Sequence, residues 1–365
     1  MSAAIATARR KKLIAALQEA GLDLLIAFGN SWQGDYLKYA TDFGLVEGNG
    51  LATIEASGAT TLYLESAVDA ERALLEVPEL TVVYTPHPIV DVLAFLRSTD
   101  GKRIGGAPYH LLPQALTAQA KIADATALLD GLLMRKTPEE LEAIRRSALL
   151  ADRAYEVFRA AAVAGRKQYE LVAEVETFLR TQGSPENFML VGSGGVDVRG
   201  MVPPSERALA PGDLVTTELT PEVDGYYAQI CRTLVVGARA GDAQRKAFAV
   251  FLEALEAGVA AVRPGAKASD VAKAENDVFR KYGLGEYTTN AYTRVRGHGL
   301  GLFADSKPHL LEDVDVVLEP GMAIVVHPNT YHPEAGYIVL GDTVIVTETG
   351  AEVVTRTPRV LFEGI

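Results

Sequence analysis

One cysteine, one tryptophan and no long apolar run mark this 365-residue chain. A lone thiol excludes an intramolecular disulfide framework and suits a reducing compartment. No stretch approaches the roughly 20 apolar residues of a membrane span. The N-terminal MSAAIATARRKKLIAALQEAGLDLLIAF has a basic patch but no sustained apolar stretch followed by a cleavage site. It reads as an amphipathic helix stopped at Gly21 and running into a strand. Positive charge is scarce too: the formal net charge is −12, against the basic face that nucleic acid requires. The expected setting is cytoplasmic, with a small-molecule substrate and neither nucleic acid nor membrane as partner.

What is present is ordinary for a soluble enzyme: 48% hydrophobic and 22% charged residues. The length suffices for two domains with separate cores. Up to residue 132, helical patterns alternate with β-rich runs: DLLIAFG at 23–29, GLATIEASGATTLYLE at 50–65 and LTVVYTP at 80–86. This predicts a small α/β domain with a mixed sheet. From Met134, Thr137 offers an N-cap, Pro138 a first helical residue and Glu140 the closing carboxylate of a capping box. Leu141, Ile144, Leu149, Ala154, Val157 and Phe158 supply the apolar stripe of the helix. The second domain is therefore placed at 133–365. It alternates helices (168–182, 243–261, 269–282) with strands (213–220, 226–236, 322–327, 337–347), an α+β pattern of two αβ units with antiparallel strands.

Within it, TTELTPEVDGYYAQICRTLVVG at 216–237 reads as a hairpin turning at Asp224-Gly225. In that register Val223 pairs with Tyr226, Thr220 lies opposite Gln229, and Glu218 lies opposite Cys231. Alternation puts Glu218, Thr220, Gln229 and Cys231 on one face, with Arg232 on the other.

This hairpin, RVRGHGLGL at 294–302, LEPGMAIVVHPNTYHP at 318–333, GYIVLGDTVIVT at 336–347 and the capped helix together resemble the pita-bread family. Methionine aminopeptidase, aminopeptidase P, prolidase and creatinase belong to it. The resemblance covers nearly the whole chain, including the smaller N-terminal domain of the aminopeptidase P, prolidase and creatinase branch. In the peptidases two Asp, one His and two Glu hold two metal ions, which polarise the scissile carbonyl and ionise a bridging water. Carried over by position, this chain has Glu218, Gln229, His298, His327 and Gly341. The resemblance thus implies that a standard two-metal centre is not formed and that no cofactor is needed, as in creatinase. The creatinase acid–base His falls on Met201, however, its creatine-binding Glu on Cys231, and the second His after GHG-G on Asp305. The scaffold resembles creatinase while the site matches neither creatinase nor the peptidases.

The expected catalytic residues are His298, Glu218 and His327. Gln229, Cys231, Asp197, Arg199, Met201, Tyr331 and Trp32 are the expected substrate-binding residues. Each has a plainer reading: a loop histidine, an ion-pair partner, a small buried hydrophobe, a solvated charge. A carboxylate beside Cys231 would raise its thiol pKa and oppose nucleophilic use. His332 is a weaker candidate, and His87, His110 and His309 read as surface residues. SWQGDYLKYATDFG at 31–44, with Trp32, corresponds to a segment that in this branch lies near a partner's active site. The resemblance implies a homodimer.

Three functions fit these residues. One is a metal-independent, creatinase-like hydrolase of an amide or amidine-like C–N bond in a small polar compound. Another is a hydrolase or oxygenase with one divalent Fe, Mn or Zn on Glu218, His298 and His327. The third is a non-catalytic binding protein on a peptidase scaffold. Xaa-Pro aminopeptidase or dipeptidase activity ranks lower.

Overall fold

The computed structural model describes residues 3–364. The chain divides into two compact units, Met1–Leu133 and Met134–Ile365.

The first unit is built on a six-stranded mixed sheet. Its central strand, Leu24–Asn30, is LLIAFGN and is buried on both faces, as a near-continuous apolar run requires. It pairs antiparallel with Asn49–Glu55 and parallel with Ile104–Ala107. Two strands escape the sequence pattern: Ile104–Ala107 and Ile122–Asp124. IGGA reads as a turn, yet side chains at Gly105 and Gly106 would meet Leu22 at 2.8 Å and Leu112 at 2.4 Å. Close packing demands those glycines.

The second unit is α+β, with two similar halves. In the first, the helices Pro138–Ala161 and Gln168–Thr181 cover a sheet containing Asn187–Gly194, Leu214–Val223 and Ile230–Val236. In the second, Asp242–Ala261 and Ala268–Lys281 cover a sheet containing Gly297–Gly299, Ala323–Val326 and Asp342–Val346. The capping box forms as expected: Glu140 N–H donates to Thr137 Oγ1, and Thr137 N–H to Glu140 Oε2 at 2.6 Å. Leu149 is exposed instead of core-facing. The buried face runs Ile144, Ala148, Ala151, Tyr155 and Phe158, a true three-four spacing that skips 149.

The strands are not all antiparallel, since Ile230–Val236 pairs parallel with Phe362–Gly364. A short bridge between Cys231 and Gly341 joins the two sheets.

Candidate functional site

The hairpin turns where its sequence says. Asp224 and Gly225 both take positive φ, 53° and 85°, the pair of left-handed residues that a two-residue turn of this hand needs. Val223 pairs with Tyr226, and Glu218 with Cys231. The ladder breaks between them, so Thr220 and Gln229 are not a bonded pair. Pro221 has no N–H to give, and the Gln229 backbone turns to Thr343, whose Oγ1 accepts at 2.8 Å and donates back at 2.8 Å.

Above this face lies a cavity of about 390 Å³. Glu218, Gln229, His298, His327, Arg199 and Met201 line it. Cys231, Asp197 and Tyr331 do not, and Trp32 is an exposed residue of the first unit. Tyr331 stands one layer back, stacked at 5.9 Å on the lining Tyr292 and under the Arg199 guanidinium at 5.4 Å. A larger cavity of about 720 Å³ in the first unit has no His, Cys or Glu in its wall.

Burial pushes Glu218 up to about 7, against hydrogen bonds from Asn329 and Cys231 that favour its charged form. His298 Nδ1–H donates to the Gly299 carbonyl at 3.0 Å, which leaves Nε2 as an acceptor. Burial lowers its pKa, so the ring is neutral at pH 7. The His327 ring meets it edge-on, 5.4 Å between centroids. Burial, then the neighbouring His298, drop His327 to about 3. Its Nδ1 is buried without a hydrogen-bond partner. Burial and the Glu218 charge drive the Cys231 thiol well above its usual range, so it is a protonated neighbour of the pocket and a poor nucleophile.

Sequence reasoning overlooked Asn329, Tyr337, Tyr292 and Arg294, all of which line the cavity. Pro-Asn reads as a turn, which hid Asn329. His309, expected to stand alone, is bonded to Asp305 Oδ1 at 2.9 Å, and Asp305 lies 3.9 Å from His298 Nδ1. Only a contact across the strand pair Gly297–Gly299 and Ser306–His309 could reveal that link.

Residues 142–348 match the model of metallopeptidase family M24. The chain is 28% identical over 310 residues to the Xaa-Pro dipeptidase of Pyrococcus furiosus, covering 81% of this chain and 88% of the relative. It is 31% identical over 274 residues to the probable dipeptidase PepE of Mycobacterium bovis, 71% of each chain. The structure of an Xaa-Pro dipeptidase from Bacillus anthracis superposes with a TM-score of 0.83 at 26% identity, over 98% of this chain and 99% of that one.

The family corrects one expectation outright: a match to metallopeptidases overturns the inference that no cofactor is involved. The residues as placed nevertheless do not fit a two-metal centre. Among the described residues no three His, Cys, Asp or Glu side chains are arranged to hold a metal ion, the trio Glu218, His298 and His327 included. A Cβ at Gly341 would lie 2.5 Å from His327 Cβ and 2.9 Å from the Val326 carbonyl oxygen, so a carboxylate has no room there. With its pita-bread fold and this match along the second unit, the chain belongs to metallopeptidase family M24 and is a hydrolase acting on C–N bonds.

Proposed function

We propose that the pocket hydrolyses an amide-type C–N bond in a small polar compound, a reaction creatinase-like in kind. The observation that carries this reading is Glu218, a buried carboxyl poised at about 7 inside a cavity shared with His298. A group with that pKa exists in both proton states near neutrality, as general acid–base work requires. Ionised, Glu218 takes a proton from the water that attacks the planar carbon. Protonated, it returns that proton to the departing nitrogen. Water thus adds hydroxyl to carbon and hydrogen to nitrogen as the C–N bond breaks.

His298, neutral and fixed through Nδ1, presents Nε2 as an acceptor that orients the water or a substrate N–H. The Gln229 carboxamide supplies neutral hydrogen bonding for the rest of a polar substrate. A cavity of about 390 Å³ lies at the small end of the ligand-site range, which limits the compound to a few residues' bulk.

A second reading, cleavage of Xaa-Pro dipeptides, is favoured by the names of the relatives in Pyrococcus furiosus and Bacillus anthracis. One panel separates the two: small amides, ureas and amidines beside Xaa-Pro dipeptides, each with and without added divalent cation, scored by released amine. Amine from the first group, lost in Glu218→Gln, supports the proposal. Cleavage confined to Gly-Pro and its kin moves the assignment to a dipeptidase.

A homodimer and a cytoplasmic location belong to the same proposal, supported by the family likeness and the single cysteine. No helix among the described residues is long and apolar enough to cross a membrane. Sedimentation of the purified chain reads the dimer directly.

A further inference from the structure

Asn329 follows His327 and Pro328 in the turn between the strands Ala323–Val326 and Thr330–His332. Its side chain is 3% exposed. The Leu340 N–H donates to Asn329 Oδ1 at 3.1 Å. That bond decides which way the carboxamide points, because a backbone N–H can only donate. Nδ2 is thereby turned to Glu218, and donates to Oε1 at 2.7 Å.

The backbone of the same residue is held as firmly. Its N–H donates to the His327 carbonyl at 2.7 Å. Its carbonyl accepts from Arg296 Nη1 at 3.2 Å. Arg296 is itself anchored: Nε donates to Asn276 Oδ1 at 2.5 Å, and Asn276 Nδ2 donates to Glu312 Oε1 at 2.7 Å. The guanidinium lies over the Phe279 ring at 5.0 Å from its centroid. The Arg296 carbonyl also accepts the His327 N–H at 3.0 Å, so one arginine braces both His327 and Asn329.

Arg296 thus donates both ways, to Asn276 on the helix Ala268–Lys281 and to the Asn329 carbonyl, and Asn329 donates on to Glu218. No arginine, lysine or histidine among the described residues forms an ion pair with Glu218. A neutral amide with a forced orientation, beside the weaker Cys231 thiol, is what holds this carboxyl.

We propose that Asn329 is a positioning residue for Glu218: it locks one carboxyl oxygen against the wall and so fixes how the carboxyl meets a substrate. The role rests on the functional reading above, in which Glu218 does the chemistry. Without this donor only the weaker Cys231 thiol bonds Glu218, and a near-attack geometry held by one rotamer is loosened. Substrate binding, spread over the other lining residues, changes less.

The test uses the full chain and has two parts. In the first, the side-chain amide signals of Asn329 are followed by 15N–1H NMR and assigned by their disappearance in Asn329→Asp. Glu218→Gln should shift them and speed their exchange with water, while Arg199→Ala should leave them in place. In the second, Asn329→Asp keeps the acceptor for the Leu340 N–H and the side-chain size, and exchanges the donor for a second carboxyl beside Glu218. On the compound that the panel identifies, it should lower kcat about tenfold or more with little change in KM. The exchanged pair, Glu218→Gln with Asn329→Asp, should recover the thermal midpoint, which reports the contact alone, whereas the split between kcat and KM reports the positioning.

An Asn329 amide indifferent to Glu218→Gln overturns the proposal, as does Asn329→Asp with native kcat. Should Asn329→Asp not fold, Asn329→Ala supplies the assignment and the response to Glu218→Gln decides alone. A chain that turns over nothing in the panel sinks the functional reading, while the amide signal still settles this one.

Discussion

Arg232 Nη2 lies 2.7 Å from Asp342 Oδ1, with the two side chains 0% and 1% exposed. The guanidinium also donates to the carbonyls of Cys231 at 2.8 Å, Gly341 at 2.7 Å and Thr357 at 2.6 Å. Asp342 accepts further bonds from Thr355 Oγ1 at 2.8 Å and Arg359 Nε at 2.6 Å. This pair clamps the two sheets together directly behind the pocket face, where Cys231 and Gly341 bridge.

The clamp makes stability fall in acid. Burial alone would raise the Asp342 pKa, but Arg232 and Arg359 outweigh it and hold the carboxyl below its ordinary value. A depressed native pKa contributes stability above the unfolded value of about 4. That contribution drains away as pH falls from about 4 toward the native pKa. Denaturant midpoints between pH 7 and 3 should show the loss, and Asp342→Asn should flatten it. An acid limb of unchanged steepness in Asp342→Asn would falsify the assignment.

Breaking the clamp from the other side is costlier. Arg232→Met leaves Asp342 charged, buried and short of its main partner. A loss of about 3–5 kcal/mol is expected for stranding one half of a buried pair. Urea unfolding at pH 7 measures it, and a loss below about 1 kcal/mol would mean that the pair contributes only as a surface bridge does.

Gly341→Ala tests how tightly the wall beside His327 is closed. Its Cβ would sit 2.5 Å from His327 Cβ and 3.2 Å from Cys231 Sγ. Because backbone and Cβ atoms cannot swing aside, the strands must part, at a cost of about 1–3 kcal/mol. The thermal midpoint should drop accordingly, and a midpoint equal to the native one would show that the wall yields freely.

Cys231 should be chemically silent while the chain is folded. Its side chain is fully buried, and Gln229 Nε2 donates to its sulfur at 3.4 Å. An aromatic disulfide reagent should titrate the thiol only after unfolding, and Cys231→Ser should keep most of the activity. Rapid modification of the native chain with matching loss of turnover would instead make Cys231 the nucleophile.

Glu218→Gln should abolish turnover and stabilise the chain at the same time. Its native pKa of about 7 lies above the ordinary carboxyl value. Ionising it inside the fold therefore works against folding, progressively from about pH 4.5 to 7 and constantly above, on the order of 3 kcal/mol at full effect. Gln leaves Asn329 a weaker, neutral acceptor and removes that charge. Unfolding at pH 8 should occur at higher denaturant than in the native chain. A less stable variant would show that the carboxylate is paid back by partners the pocket wall does not display.

Short-range stereochemistry was legible in the residues themselves. Asp224-Gly225 can turn only one way, so the register that faces Glu218 with Cys231 follows from the chain alone. Thr137, Pro138 and Glu140 likewise start their helix without help from elsewhere, since cap bonds span three residues. The α+β pattern and the placing of Glu218, Gln229, His298 and His327 on one pocket came from strand alternation and from the family likeness together.

What tertiary structure decided lies across distance. Asn329 reaches Glu218 over 111 positions, and Gly341 closes on Cys231 through a bridge between separate sheets. No local pattern encodes such a meeting, because it depends on how two independently patterned sheets dock. The same holds for charge: a glutamate, two histidines and a thiol have ordinary pKa values in an open chain. Burial is the largest cause that pushes Glu218 up and both imidazoles down, and that desolvation belongs to the fold, not to any residue.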